Sequence, residues 1–295
     1  MSRPEELGAY LNSLPAEARK LAKDALRIVL YQQDIIVWSQ RELGLTLDIW
    51  QKSLVSTPPG GRSIALVHRQ AGKTTAAAVA VSHHLMFGPK GSTSLILAPT
   101  QRQSGEAIRR IRSLLLKAGA KLTIDNAFSL EIDSGSRVLG LPGQDDAAIR
   151  GLTVDGVLVV DEAARVADGL FQAAQPMVLR HAKLARVMVL STAWTRDGFF
   201  YRLWTEGDPR DWTKIEARID QCAHLTPEEI ERERRSMPAS VFAREYLNEF
   251  DSIEHRFFSA ENIAAAFGDV IADTPELIDD IDPVRHKQPA FSVGF

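Results

Sequence analysis

One cysteine, Cys222, stands alone among 295 residues, which excludes an internal disulfide and suits a reducing cytoplasm. No apolar run approaches the ~20 residues that a bilayer crossing needs, so no membrane is expected among the partners. The first residues, Met1-Ser2-Arg3-Pro4-Glu5-Glu6, lack the apolar centre of a secretory signal. A net charge of −3 lacks the basic excess of a broad nucleic-acid coat. It still permits a local basic channel, because steering depends on where charges lie. Internal repeats and low-complexity tracts are missing too. What is present, 45% hydrophobic and 25% charged residues, fits an ordinary cytosolic globular protein of one large or two modest domains.

The stretch to about residue 45 is rich in Ala, Leu, Glu, Lys and Arg and holds no glycine between Tyr10 and Leu43. It reads as helical, with Pro15 placed where a helix can begin. Thr57-Pro58-Pro59-Gly60-Gly61 is a turn cluster that closes this region. Beyond it, apolar runs at 63–67, 94–98, 156–160 and 186–190 predict buried strands, and 75–85 and about 103–118 predict helices. Residues 121–141 alternate as a β-hairpin turning at Asp133-Ser134-Gly135-Ser136. Continuous Val, Ile and Leu runs separated by helices predict an α/β fold whose parallel-dominant sheet is covered on both faces. From 197 to 250 the chain turns aromatic and charged, with helices at 227–235 and 239–248; Thr226 caps the first and Pro227 opens it. The acidic, proline-containing stretch after Phe267 reads as a linker, in which Asp279, Asp280 and Asp282 are solvated rather than metal ligands.

Two segments carry chemistry. Val67-His68-Arg69-Gln70-Ala71-Gly72-Lys73-Thr74-Thr75 lies between a predicted strand and a predicted helix. That places backbone N–H groups and a helix N-terminus around an anion. Lys73 would reach the β- and γ-phosphates of a nucleotide and the Thr74 hydroxyl would ligate Mg²⁺. Val67 occupies the place of the usual first glycine, so an ordinary loop with an exposed lysine stays open as an alternative. In Val157-Leu158-Val159-Val160-Asp161-Glu162, two carboxylates end an apolar strand, at the sheet edge where open α/β folds bind ligands. Asp161 would hold Mg²⁺ and Glu162 would polarise the attacking water. A pair capping the next helix is the alternative for these two residues alone. Together the segments predict an ATP site. Ser191-Thr192-Ala193, at the end of another apolar run, could sense the γ-phosphate, although small polar residues end many strands.

The loop, the Val-Asp-Glu-Ala strand end at 160–163, Ser191-Thr192-Ala193 and Gly198-Phe199-Phe200-Tyr201-Arg202-Leu203-Trp204 together resemble the large terminase subunit of tailed bacteriophages. The resemblance spans about residues 45–260 and includes the missing first glycine with an arginine in the loop. It implies a P-loop NTPase fold of the ASCE/RecA-like kind with an N-terminal helical region and a small helical lid. It also implies an ATPase, with ATP and Mg²⁺ as cofactors, that packages viral DNA. On that resemblance Trp50 and Gln51 contact adenine, and Arg69, Gln70, Ala71, Gly72, Lys73, Thr74 and Thr75 bind the nucleotide, Thr75 near the α-phosphate. Asp161 and Thr74 take the metal, and Glu162 is the catalytic base. Arg69 touches the γ-phosphate or Glu162, and Ser191, Thr192 and Ala193 couple hydrolysis to movement. Arg150 sits where the family has an arginine finger acting on a neighbouring subunit, against the alternative of a surface arginine.

The implied partners are double-stranded DNA, a portal protein and a small terminase subunit. A homo-oligomeric ring is implied on the capsid, in the cytoplasm of a bacterial host, with a monomer left open for the isolated chain. The expected domains are 1–58 with the Gln motif, the ATPase core at 59–196, the lid at 197–250, and 251–295 as a linker and the start of a nuclease domain. The chain stops before that domain's metal-binding aspartate, so nuclease activity is not expected. Arg102, Arg109 and Arg112, with Arg110 and Lys117, are candidates for phosphate contacts on one helix, or else a solvated helix face. Trp194, Trp204 and Trp212 read as packing residues rather than base platforms. A superfamily 2 helicase-like, DNA-dependent ATPase is the rival reading, but it needs a second RecA-like domain. A nucleotide-dependent scaffold without turnover is the other.

Overall fold

The computed structural model describes residues 9–142, 151–219 and 225–251. Three helices come first: α1 (Ala16–Gln33), α2 (Ile35–Arg41) and α3 (Ile49–Val55). Pro15 precedes α1, where its missing N–H costs nothing. Asp34 separates α1 from α2 by accepting the Ile36 and Val37 N–H groups at 2.9 Å each. Asp48 and Gln51 form a reciprocal cap on α3.

Eight strands follow: β1 (Arg62–Val67), β2 (Thr93–Ala98), β3 (Leu122–Asp125), β4 (Ser129–Ile132), β5 (Arg137–Pro142), β6 (Val157–Val160), β7 (Arg186–Ser191) and β8 (Thr213–Ala217). They form one sheet in the order β3-β4-β5-β2-β6-β7-β1-β8. The six strands from β5 to β8 run parallel, and β3 and β4 add an antiparallel edge. Side chains of the central strands alternate between two cores. Ala65, Val67, Ile96, Val159, Met188 and Leu190 enter one, and Ile64, Leu66, Leu95, Leu97, Val160 and Val189 the other.

The crossover helices are α4 (Lys73–Phe87), α5 (Gln101–Lys117), α6 (Asp168–Leu179) and α7 (Gly198–Glu206), followed by α8 (Pro227–Ser236) and α9 (Ala239–Tyr246). Helix α4 is buried almost all round, from Ala76 to Leu85, and its alanines and valines suit that position. Helices α8 and α9 share a separate small core of Ile219, Phe242 and Tyr246. Among the described residues, no helix is long and apolar enough to cross a membrane.

Two elements depart from the sequence expectation. The predicted hairpin is a three-stranded meander, because β3 pairs with β4 through Leu122–Ile132 and Asp125–Leu130. Strand β8 was not predicted: it lies within the stretch expected as a helical lid, yet pairs with β1 in register from Ser63–Thr213 to Val67–Ala217. Its sequence Thr-Lys-Ile-Glu-Ala buries only alternate residues, as an edge strand does, and has no continuous apolar run.

Candidate functional site

Every parallel strand delivers its carboxyl end to one edge of the sheet, and the chemistry-bearing segments emerge there. Strand β1 leads into the loop His68–Gly72 and thence into α4. Strand β6 ends in Asp161 and Glu162, and β7, which lies between β1 and β6, ends in Ser191 and Thr192. The loop and the acidic pair are thus two strands apart, with the polar tip of β7 between them.

Three residues here adopt left-handed backbone conformations: Gln70 (φ 64°), Gly72 (φ 87°) and Glu162 (φ 50°). Such values in non-glycine residues are uncommon and gather where a side chain must be aimed. Gly72 is the N-cap of α4, so Lys73 and Thr74 open the helix beside its free N–H groups.

The loop and the acidic tip meet directly. The Thr74 hydroxyl donates to Asp161 Oδ2 at 2.9 Å, across 87 residues of sequence. The Lys73 ammonium lies 3.7 Å from Glu162 Oε1 and donates to the His68 carbonyl at 3.3 Å. Lys73 and Asp161 are each only 6% exposed, whereas the Glu162 side chain keeps 26%. Burial pushes the Asp161 carboxyl above the ordinary carboxylate range, helped by the neighbouring Glu162 charge. Lys73, the Thr74 hydroxyl and the Glu162 N–H pull it back without restoring it. A buried carboxylate left short of positive charge beside a hydroxyl oxygen is a hard-oxygen donor pair. It fits Mg²⁺, which takes few protein ligands and leaves the rest of its shell to phosphate and water. Among the described residues there is no cluster of three or more His, Cys, Asp or Glu that would favour another kind of metal centre.

Gln51 reaches the loop from α3: its Nε2 donates to the Ala71 carbonyl at 3.2 Å while its Oε1 accepts the Asp48 N–H at 2.9 Å. Trp50 is buried beside it with an unpartnered Nε1 and lines a cavity of about 530 Å³ shared with Ile49, Ile215 and Ala217. Arg69 lines a different cavity, of about 270 Å³, with Tyr246, Glu229 and Glu233. The ion pair of Glu162 is with Lys73. Ser191, Thr192 and Ala193 are buried, and Ser191 Oγ accepts the Ala164 N–H at 3.1 Å, which ties the tip of β7 to the turn after the acids. Arg150 lies outside the described residues.

The candidate phosphate-contact helix is divided. Arg102, Arg109 and Arg112 line a shallow groove with Gly105 and Phe128. Within it Arg109 is paired with Glu106 at 2.8 Å, and Arg112 with the Asp125 carboxylate. Arg110 and Lys117 do not form a free face: Arg110 donates to Thr75 Oγ1 and Lys117 to the Leu43 carbonyl at 2.7 Å. Trp204 and Trp212 pack against the second core, while Trp194 lies between two guanidinium groups, with Arg165 at 4.2 Å and Arg244 at 4.5 Å from its ring.

Sequence reading missed Arg165, and it gave Arg110, Glu245 and Asn248 other roles, Arg110 as a DNA-phosphate candidate and the latter two within the close of the lid. The Arg69 N–H donates to the Glu245 carbonyl at 2.7 Å, and Asn248 donates to the Leu66 and Ala217 carbonyls at 3.3 and 3.2 Å. The Arg69 and Leu66 bonds join the phosphate-loop strand and its loop to the α9 segment across more than 170 residues, a separation at which no sequence spacing gives a signal, and the Ala217 bond adds β8 to the same junction.

Comparison with known proteins agrees with this geometry. The family model described as terminase large subunit, T4-like-virus type, N-terminal, matches residues 64–265. No curated protein sequence matches the chain. Among solved structures, the large terminase ATPase domain of Thermus phage P74-26 superposes with a TM-score of 0.60 at 21% identity, over 72% of this chain and 97% of that one. The large terminase of bacteriophage HK97 gives 0.61 at 16% identity, over 74% and 55%. That of the thermophilic bacteriophage D6E, solved with ADP, gives 0.55 at 16%, over 74% and 52%. At such identities the likeness establishes the fold, that of a P-loop NTPase. The chain spans nearly all of the isolated ATPase domain and about half of the two longer proteins.

Proposed function

We propose that this chain, which belongs to the terminase large subunit family of T4-like-virus type, is the ATP-hydrolysing motor that drives double-stranded DNA into a viral procapsid. The observation that carries the reading is the meeting of the Lys73–Thr74 turn with the Asp161–Glu162 strand tip. Both halves of a phosphate-transfer site occur together there and nowhere else on the described sheet edge.

In this reading the N–H groups opening α4 and the Lys73 ammonium hold the β- and γ-phosphates. Thr74 and Asp161 would hold Mg²⁺, which when bound neutralises phosphate charge and polarises the γ-phosphoryl group. Glu162, more exposed than Asp161, orients the attacking water and accepts its proton. Lys73 now serves Glu162, and a bound triphosphate competes for the same ammonium, releasing the carboxylate for the water. The polar tip of β7, fixed to the turn after Glu162 through Ser191, moves with that turn. Arg69 and Gln70 face the α8–α9 segment across the smaller cavity, so phosphate bound to the loop is felt on that side too. Trp50 and Gln51 hold the adenine end.

The same proposal takes in the assembly: a homo-oligomeric ring on a portal protein, fed by a small terminase subunit, in the cytoplasm of a bacterial host, with Arg150 completing a neighbour's site. A finger supplied in trans is worth several orders of magnitude in rate.

Glu162→Gln tests the chemistry. We expect ATP turnover to fall by at least about 100-fold with ADP affinity within two-fold of wild type. Undiminished turnover in that variant sinks the assignment of the base, and absence of any nucleotide binding by wild type sinks the motor reading itself. Assembly is read from ATPase rate against protein concentration: a superlinear rise is expected, abolished when Arg150→Ala chains are used.

A further inference from the structure

Arg110 is a cation at the phosphate loop with no role in the reading above. It lies in the third turn of α5, and its guanidinium donates to Thr75 Oγ1 in the first turn of α4. Its neighbours on the helix are neutralised, Arg109 by Glu106 and Arg112 by Asp125. Among the described residues Arg110 pairs with no carboxylate. Its partner is a neutral hydroxyl, so its charge remains available to an anion.

The loop has two sides. Lys73 and Thr74 point toward β6, where Glu162 and Asp161 take them. Successive residues at a helix start point about 100° apart, so Thr75 cannot join Thr74 on Asp161. A Cβ built on Gly72 would meet Gln51 Nε2 at 2.8 Å and Thr75 Oγ1 at 4.0 Å, which puts these two polar atoms on one flank of the loop. Arg110, bonded to Thr75, closes that flank. A triphosphate whose γ-end faces Glu162 must leave its α-phosphate and nucleoside on the flank of Gln51, Thr75 and Arg110.

We infer that Arg110 is a nucleotide-binding residue that contacts the α-phosphate. The inference rests on the ATPase reading of the site. It assigns to nucleotide an arginine that helix spacing alone would place on a DNA-facing surface. Because ATP and ADP share the α-phosphate, the contact serves both equally and favours neither substrate nor product. A guanidinium presents paired N–H donors to phosphate oxygens that an ammonium cannot match.

Arg110→Ala and Arg110→Lys, measured for ADP binding by calorimetry and for steady-state ATP hydrolysis, test it. Arg110→Ala should raise the ADP dissociation constant and the KM for ATP together by about ten-fold, the worth of one charge-assisted contact, with kcat within two-fold. Arg110→Lys should recover part of the loss. The side chain is exposed, and an unchanged thermal midpoint separates lost binding from lost packing. An Arg110→Ala protein that is less stable but binds ADP as wild type does overturns the inference and leaves α5 merely tethered to α4. A loss confined to kcat overturns it as well, in favour of a transition-state contact. Failure of wild type to bind ADP would strike the ATPase reading first, a result distinct from either.

Discussion

At Gly72 and Gln70, two positions with similar left-handed angles, the side chain decides which way a substitution cuts. At Gly72 (φ 87°) an added Cβ meets the end of the Gln51 side chain at 2.8 Å and must push it aside, and the angle itself disfavours any L side chain. Gln70 (φ 64°) already bears the cost of its conformation, of order 1–3 kcal/mol, and faces the cavity beside α8. Gly72→Ala should therefore cost more stability than Gln70→Gly by at least about 1 kcal/mol in urea unfolding. Gly72→Ala should also weaken ADP binding, because the displaced Gln51 amide braces the Ala71 carbonyl. Equal costs for the two substitutions would mean that the loop relaxes freely and that its angles do not serve the site.

Among elements, the α8–α9 segment has its own small core and is fastened to the nucleotide edge by a few polar contacts together with the rings of Tyr246, against His68, and Phe250, against Tyr201. Glu245 joins the Arg69 N–H on the phosphate loop to Arg165 after the acidic pair, the latter at 3.8 Å. Trp194, just past the tip of β7, is clasped by Arg165 and by Arg244 of α9, and its carbonyl accepts the Asp251 N–H at 2.8 Å. Such a fastening is weak enough to release and specific enough to re-form. Trp194→Ala should remove about 1–2 kcal/mol of it. Amide exchange should quicken across 225–251 and stay unchanged in the middle of α4; uniform quickening would show that Trp194 serves the whole fold. Sequence reading reached the elements whose period is plain: β1, β2, β6 and β7 as buried apolar runs, and α4 and α5 as helices. It also paired Lys73 with the acidic tip, because strand-end motifs on a parallel sheet share an edge. Strand β8 escaped because it has no continuous apolar run, and β3 reads as one arm with β4 because residues 121–132 carry no turn signal as plain as Asp133-Ser134-Gly135-Ser136. The partners of Arg110 and Glu245 escaped because they depend on how distant elements pack, which no local pattern encodes.

At the scale of the whole molecule, α4 joins the site to a second titratable region. It begins at Lys73 and, some ten residues or about 15 Å further on, carries His83 and His84 into the core between α1, α2 and the sheet. The His83 ring packs edge-on against Trp38 and donates through Nε2 to the Tyr31 carbonyl, which can only accept; His84 Nε2 meets Ser92 Oγ at 3.1 Å. Burial lowers both rings from 6.5 to about 4. The Arg186 charge adds to the lowering, opposed at His83 by the Tyr31 hydrogen bond and Asp34, and at His84 by Asp155. The sign follows from proton counting. Between pH 6.5 and about 4 the unfolded chain binds protons that the folded chain refuses, so stability is full above 6.5 and drains away as pH falls toward 4. Each histidine contributes on the order of 3 kcal/mol to that loss. Chemical denaturation from pH 7.5 to 4 should thus show wild type falling steeply below 6.5, and a His83→Gln, His84→Gln double variant, less stable at neutral pH, falling less. Parallel curves for the two proteins would refute the assignment.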